Sequence, residues 1–284
     1  MNGVQPSSET PRPAGHNNLL LRIVSSLVLA PLAIAAAYLG GLPFLAFWAV
    51  AALLVLWEWD TLVYTDSRNA VLAMGVVVLV GTALLLALDR VGIAAALIAL
   101  GALGLAGLSF ASRPAWCVAG LGYAALLLIA PVLLRRDVEL GFASIIYLFV
   151  IVWLTDIAAY FTGRAFGGPK LMPRVSPNKT WSGAIGGTVA AIVGGVIVAR
   201  QAGAPTLAAA GAVAVVLSVV SQAGDLVESA IKRHFNAKDA SQLIPGHGGL
   251  MDRLDGFIAA VAFAAALAAA RSSGVWIAPG LFQW

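Results

Sequence analysis

The feature that most constrains this chain is a series of apolar runs, each about 18–22 residues long, recurring from near residue 19 to residue 272. A helix rises about 1.5 Å per residue, so about 20 apolar residues cross the ~30 Å hydrocarbon core of a bilayer. Nine such runs are legible, at about 19–40, 42–63, 69–88, 91–109, 115–134, 141–161, 181–200, 206–224 and 256–272. They are rich in Leu, Ala, Val and Ile without period-two alternation, which argues against a membrane β-barrel. Of the 284 residues, 61% are hydrophobic and 11% charged. That leaves too little polar surface to coat a soluble core. The expected fold is all-α: a polytopic integral membrane helical bundle of about nine transmembrane helices, forming one membrane domain.

Residues 1–18, MNGVQPSSETPRPAGHNN, are polar and proline-rich and read as a disordered tail. No short apolar core with a small-residue cleavage site comes before the first run, so a retained first helix is expected rather than a removed signal peptide. The single Cys117 sits among apolar residues and offers neither a disulfide nor a metal site. Within the membrane region, 19–140 reads as a set of N-terminal helices and 141–284 as the part that carries the chemistry.

Alternating the nine runs across a bilayer sorts the Lys and Arg residues unequally. Arg90, Arg135, Arg136, Arg200 and Arg271 fall on one side and the other twelve on the opposite side. The twelve-charge side is expected to be cytoplasmic, together with the N-terminus. With a net charge of +4, that face suits anionic lipid head groups or nucleotides.

The two longest connections lie on this face and hold nearly all the residues with candidate chemistry. The first, TDIAAYFTGRAFGGPKLMPRVSPNKTWSG, spans 155–183. Asp156 lies inside an apolar run, where a carboxylate is costly unless paired or wet, and so is a functional candidate. Arg164, about two helical turns on, is its conceivable structural partner or a ligand-binding cation. Further along, SPNKTWSG reads as a helix start with Ser176 as cap. Its free N–H groups, Asn178 and Lys179 would suit an anion.

The second connection runs from SQAGDLVESAIKRHF into NAKDASQLIPGHGGLMDRLDG, over 221–256. Asp225, Glu228 and Lys232 share one helical face. A solvated Glu228–Lys232 pair explains two of them and leaves Asp225 beside an apolar run. Gly246, Gly248 and Gly249 allow tight turns and close backbone approach. Asp252 and Asp255 open the last long helix on one face. Carboxylates without thiolates make a hard oxygen site, for which Mg²⁺ or Mn²⁺ is expected rather than Zn²⁺. Lys232, Arg233, Lys238 and Arg253 are placed to neutralise a polyphosphate. His247 more commonly serves as a structural hydrogen-bonder than as a catalyst.

The run SAIKRHFNAKDASQLIPGHGGLMDRLD, over 229–255, resembles the signature of the phosphatidate cytidylyltransferases (CDP-diacylglycerol synthases). Ser229, Lys232, Arg233, Lys238, Asp239, Ser241, Pro245, His247, Gly248, Gly249, Asp252, Arg253 and Asp255 fill its fixed positions. AYFTGRAFG and SPNKTWSG agree with the family too, although Ser182 stands where it commonly has Glu. The resemblance is clearest over about 150–260; the first five helices match in hydropathy alone.

The resemblance implies transfer of a cytidylyl group from CTP to phosphatidic acid in the bilayer, giving CDP-diacylglycerol and pyrophosphate. It implies Asp225 and Asp252 as metal ligands, with Asp255 and Asp156 as direct or supporting partners. Lys179, Lys232, Arg233, Lys238 and Arg253 would bind phosphates, and Ser176 and Asn178 would donate to nucleotide or phosphate. Arg164, His247, Gly248 and Gly249 are the remaining substrate-binding candidates. A homodimer in a bacterial cytoplasmic (inner) membrane, with its site facing the cytoplasm, is the corresponding expectation. Two rivals differ in chemistry. A secondary transporter with intramembrane carboxylates predicts paired repeats, whereas the charge here is packed into the C-terminal half. A CTP-dependent lipid kinase would move the γ-phosphate instead of the cytidylyl group.

Overall fold

The structure, a computed structural model, describes residues 16–63, 68–110, 112–241, 243, 248–272 and 274–284, with side chains from residue 28 onward. Nine long helices dominate it: α1 (His16–Leu39), α2 (Gly41–Val63), α3 (Arg68–Ala87), α4 (Val91–Leu108), α5 (Pro114–Arg135), α6 (Gly141–Phe166), α7 (Trp181–Gln201), α8 (Leu207–His234) and α9 (Met251–Arg271). A short α10 (Pro279–Phe282) follows. Among the described residues, α2 to α9 are each long and apolar enough to cross a membrane. The chain is a multi-pass membrane protein with the expected all-α architecture.

The departure from a purely helical reading is a hairpin of two short antiparallel strands, β1 (Lys170–Met172) and β2 (Ser176–Thr180), in the α6–α7 connection. It pairs Lys170 with Thr180 and Met172 with Ser176. The expected helix start at SPNKT is therefore a strand, and Ser176 is not the cap. Thr180 takes that place, its side chain accepting from the Gly183 amide at 3.1 Å. Two helices also outrun their expected ends. α6 extends to Phe166 and α8 to His234, lifting Asp225, Glu228 and Lys232 on a continuous helix beyond the apolar stretch.

Small residues decide which helices come closest. A side chain at Gly183 or Gly187 of α7 would run into the Ala159 or Thr155 carbonyl oxygen of α6, at 2.8 and 2.6 Å. At Gly256 of α9 it would meet Ser221 Oγ of α8 at 2.5 Å. Such near-backbone contact is how helices associate where burial from water offers little driving force. Polar side chains reinforce it: Thr155 Oγ1 and Ser218 Oγ lie 2.8 Å apart, and Gln222 of α8 donates to Thr188 Oγ1 of α7 at 3.2 Å.

The two ends of the bundle are tied differently. At one end Arg68 pairs with Asp60 at 3.0 Å, Arg113 donates to the Val63 carbonyl at 2.6 Å, and Trp116 stacks on His234. At the other, Arg135 donates to the Ala37 carbonyl at 2.6 Å, Arg136 to Asp89, and Arg271 lies over the Trp284 ring. The hairpin and the start of α9 belong to the first end, which is the one richer in Lys and Arg.

Candidate active site

The packing of α6, α7, α8 and α9 brings charged residues from both long connections to one cavity of about 1740 Å³. Its lower wall is apolar and comes largely from the N-terminal helices and α6: Leu32, Phe47, Trp48, Leu54, Phe149 and Trp153 line it. Its other wall carries Asp156, Arg164, Asn178, Lys179, Asp225, Lys232, Asp239, Asp252, Arg253 and Asp255. One space thus borders both a greasy surface and a dense set of charges.

Each charged side chain has an identifiable origin. Asp225 follows Gly224, where a side chain would press on Ala259 Cβ and on the Asp255 carbonyl oxygen. That close crossing sets Asp225 of α8 beside Asp255 of α9. Asp156, Asp225 and Asp255 all line this cavity. Lys179 projects from β2 to an ion pair with Asp225, which Ser229 Oγ also approaches at 3.4 Å. Hairpin and α8 are thereby joined through one carboxylate.

Asp252, in the first turn of α9, is held by three donors. Lys232 Nζ donates to its Oδ1 at 2.5 Å, while the Gly249 and Ala240 amides donate to Oδ2 at 2.7 and 3.0 Å. Gly248 adopts φ +82, a backbone conformation that favours glycine, and a Cβ there would fall 2.9 Å from Asp252 Oδ2. Lys232 also donates to Glu228 Oε1 at 3.0 Å. Glu228 is only 1% exposed and its other oxygen meets the Tyr123 hydroxyl of α5 at 3.4 Å. The pair expected to be solvated is instead buried, because α5 and α9 close over it.

The other candidates divide. Arg164 donates to the Tyr160 hydroxyl at 3.1 Å, so the expected alternative of a partner for Asp156 is replaced by a neighbour on its own helix face. Arg233 and Lys238 are exposed beyond the cavity wall, Arg233 donating to the Ala237 carbonyl at 3.0 Å. Ser176 is half-buried in the hairpin and likewise off the wall. His247 lies outside the described residues. Ser182, at the position that departs from the family pattern, donates to the Gly167 carbonyl at 2.5 Å and steadies the turn before the hairpin.

Two residues that the sequence reading passed over belong here. Glu58 of α2 is fully buried and accepts hydrogen bonds from Ser241 Oγ and from the Leu250 and Met251 amides at the start of α9. Gln222 lines the cavity and bonds to α7. The signal for Glu58 was available as an acid inside the apolar run LLVLWEWDTLV.

Among the described residues, no three of His, Cys, Asp and Glu are gathered tightly enough to make a metal cage from protein alone. The donor chemistry nonetheless fits a hard divalent ion: carboxylate oxygens, amide and hydroxyl groups, and no thiolate within the cavity. Mg²⁺ commonly takes one or two carboxylates, keeps waters and completes its shell with substrate phosphates.

The chain matches known proteins over most of its length. The model of the cytidylyltransferase family matches residues 20–270. The phosphatidate cytidylyltransferase of Brucella suis is 45% identical over 252 residues, covering 87% of this chain and 92% of its own. That of Pseudomonas aeruginosa is 37% identical over 263 residues, covering 87% and 95%. That of Bacillus subtilis is 43% identical over 132 residues, covering 46% and 49%.

Proposed function

Because the chain belongs to the cytidylyltransferase family, we propose that it transfers the cytidylyl group of CTP to phosphatidic acid, giving CDP-diacylglycerol and pyrophosphate. The observation that carries this reading is the two-sided cavity, apolar against α1, α2 and the middle of α6 and charged against the end of α6, β2, α8 and α9. A diacyl lipid needs the first wall for its chains and a nucleotide needs the second for its phosphates. The substrates come from different phases, and such a space lets them meet.

In the reaction, a phosphate oxygen of the lipid attacks the α-phosphorus of CTP. The bond from that phosphorus to the oxygen bridging the β-phosphate breaks, and pyrophosphate leaves. The lipid phosphate is already a nucleophile, so the protein's task is to bring two anions together and stabilise the charge on the departing group. At ~4 Å two unit charges repel by about 1 kcal/mol in water and by about 4 kcal/mol near a protein surface. Lys179, Lys232, Arg164 and Arg253 supply the opposing charge from the cavity wall. Asn178 donates from β2. Arg233 and Lys238, further out, guide incoming phosphates toward the mouth.

Asp225 and Asp252 would hold Mg²⁺, with Asp255 and Asp156 as direct or supporting partners. The ion would offset phosphate charge and draw electrons from the α-phosphorus. Asp225 and Asp252 orient Lys179 and Lys232, whose ammonium groups they bind. Orientation follows from charge: the cavity end is the Lys- and Arg-rich one and faces the cytoplasm, from within a bacterial inner membrane and as a homodimer.

The test uses purified protein in micelles with phosphatidic acid and CTP labelled either in cytidine or in the γ-phosphate. Cytidylyl transfer puts the cytidine label into lipid and the γ-label into pyrophosphate. A γ-label in the lipid would identify a kinase, and label in neither product would leave no transferase.

A further inference from the structure

The start of α9 presents a row of backbone amides with no partner inside the helix. Gly249 N donates to Asp252 Oδ2 at 2.7 Å, but the next two amides turn away from α9 altogether. Leu250 N donates to Glu58 Oε1 at 2.8 Å and Met251 N to Glu58 Oε2 at 2.6 Å. Ser241 Oγ donates to Glu58 Oε1 at 2.6 Å. A carboxylate from α2, 192 residues earlier in the chain than Leu250, thus fastens both Ser241 and the first turn of α9. Gly249 fits against it without a side chain, since a Cβ would lie 2.8 Å from Glu58 Oε1.

A fully buried carboxylate in a membrane helix is costly unless its oxygens are satisfied, and here the helix amides and a hydroxyl satisfy them. The groups it fixes are the immediate neighbours of those that grip Asp252. Ala240 N and Gly249 N donate to Asp252, while Ser241 and Leu250, one residue further in each case, donate to Glu58. We infer that Glu58 is a positioning residue for cytidylyl transfer, acting through Ser241, Leu250 and Met251 to aim Asp252 into the cavity. The inference rests on the reaction proposed above. It assigns to the N-terminal helices a part in the chemistry beyond forming the apolar wall.

Glutamine is the informative replacement. It has nearly the same volume, but its amide group would point N–H against N–H at either Met251 or Leu250. The experiment compares wild type, Glu58→Gln, Gly249→Ala and Asp60→Asn, the last on the same helix but paired with Arg68 away from α9. Steady-state pyrophosphate release gives kcat and KM, and hydrogen exchange reports the amides around Leu250 and Met251. Glu58→Gln and Gly249→Ala should lower kcat at least tenfold, leave KM for phosphatidate within twofold, and speed exchange locally. Asp60→Asn should do neither. Wild-type kcat in Glu58→Gln would overturn the inference. So would a loss of kcat accompanied by faster exchange throughout the chain, which marks a merely structural residue. If Glu58→Gln cannot be purified folded, Gly249→Ala decides alone by the same criteria. A wild-type protein that releases no pyrophosphate would overturn the proposed reaction, and this inference with it.

Discussion

Lys179, at the end of a two-stranded hairpin, forms an ion pair with Asp225 of α8, 46 residues further along the chain. The pair fixes the two strands of the hairpin to α8, the helix that carries Asp225 and Glu228. Both side chains are roughly 30% exposed, toward the cavity. Lys179→Ala is expected to lower kcat/KM for CTP at least tenfold, or about 1.4 kcal/mol, with Lys179→Arg retaining part of it. Steady-state pyrophosphate release at varied CTP checks this.

Lys232 differs, since it neutralises two carboxylates that the fold has buried. Lys232→Met leaves Glu228 and Asp252 facing each other without their cation. Breaking such an arrangement costs roughly 3–5 kcal/mol, so the thermal midpoint in detergent should fall and activity should vanish. Adding Glu228→Gln should restore much of the midpoint and none of the activity. Recovery of activity in the double variant would show that Lys232 acts only as a structural counter-ion.

The close crossing of α8 and α9 depends on Gly256. Gly256→Val places atoms where Ser221 Oγ already lies, 2.5 Å from a bare Cβ. Overpacking of this kind costs typically 1–3 kcal/mol, and by spreading α8 from α9 it should separate Asp225 from Asp255. Both the thermal midpoint and activity should drop. Arg136→Ala is the matching control at the other end, where its partner Asp89 is 73% exposed, and it should leave kcat and both KM values unchanged.

Removing divalent ions with excess chelator should abolish turnover, and Mg²⁺ or Mn²⁺ should restore it. Zn²⁺ should not, because the cavity offers oxygen and no thiolate. Full turnover in chelator would remove Asp225, Asp252, Asp255 and Asp156 from the role of ion ligands.

The helices were legible because a span of about 20 apolar residues is a local property. Asp225, Asp252, Asp255, Lys179 and Lys232 were legible for a similar reason: charge packed into short stretches of a greasy chain. The misreadings turn on partners that lie outside the stretch being read. SPNKT looks like a capped helix start until it pairs with Lys170–Met172 across a turn. The Glu228–Lys232 pair looks solvated until Tyr123 reaches Glu228 and Asp252 reaches Lys232 from other helices. Glu58 sits in a region where the resemblance offered only hydropathy, and its partners lie more than 180 residues away. Spacing along one helix cannot display such contacts.

The central claim is that Asp225 of α8 and Asp252 of α9, both on the wall of one cavity, carry the transfer. The most direct measurement is pyrophosphate release from CTP and phosphatidate by purified Asp225→Asn and Asp252→Asn, each first shown to elute and melt as the wild type does. Removing a group that acts in the transition state commonly costs about 10²–10³ in kcat, and a loss of that order is expected in both. A kcat within twofold of wild type in either variant would contradict the account.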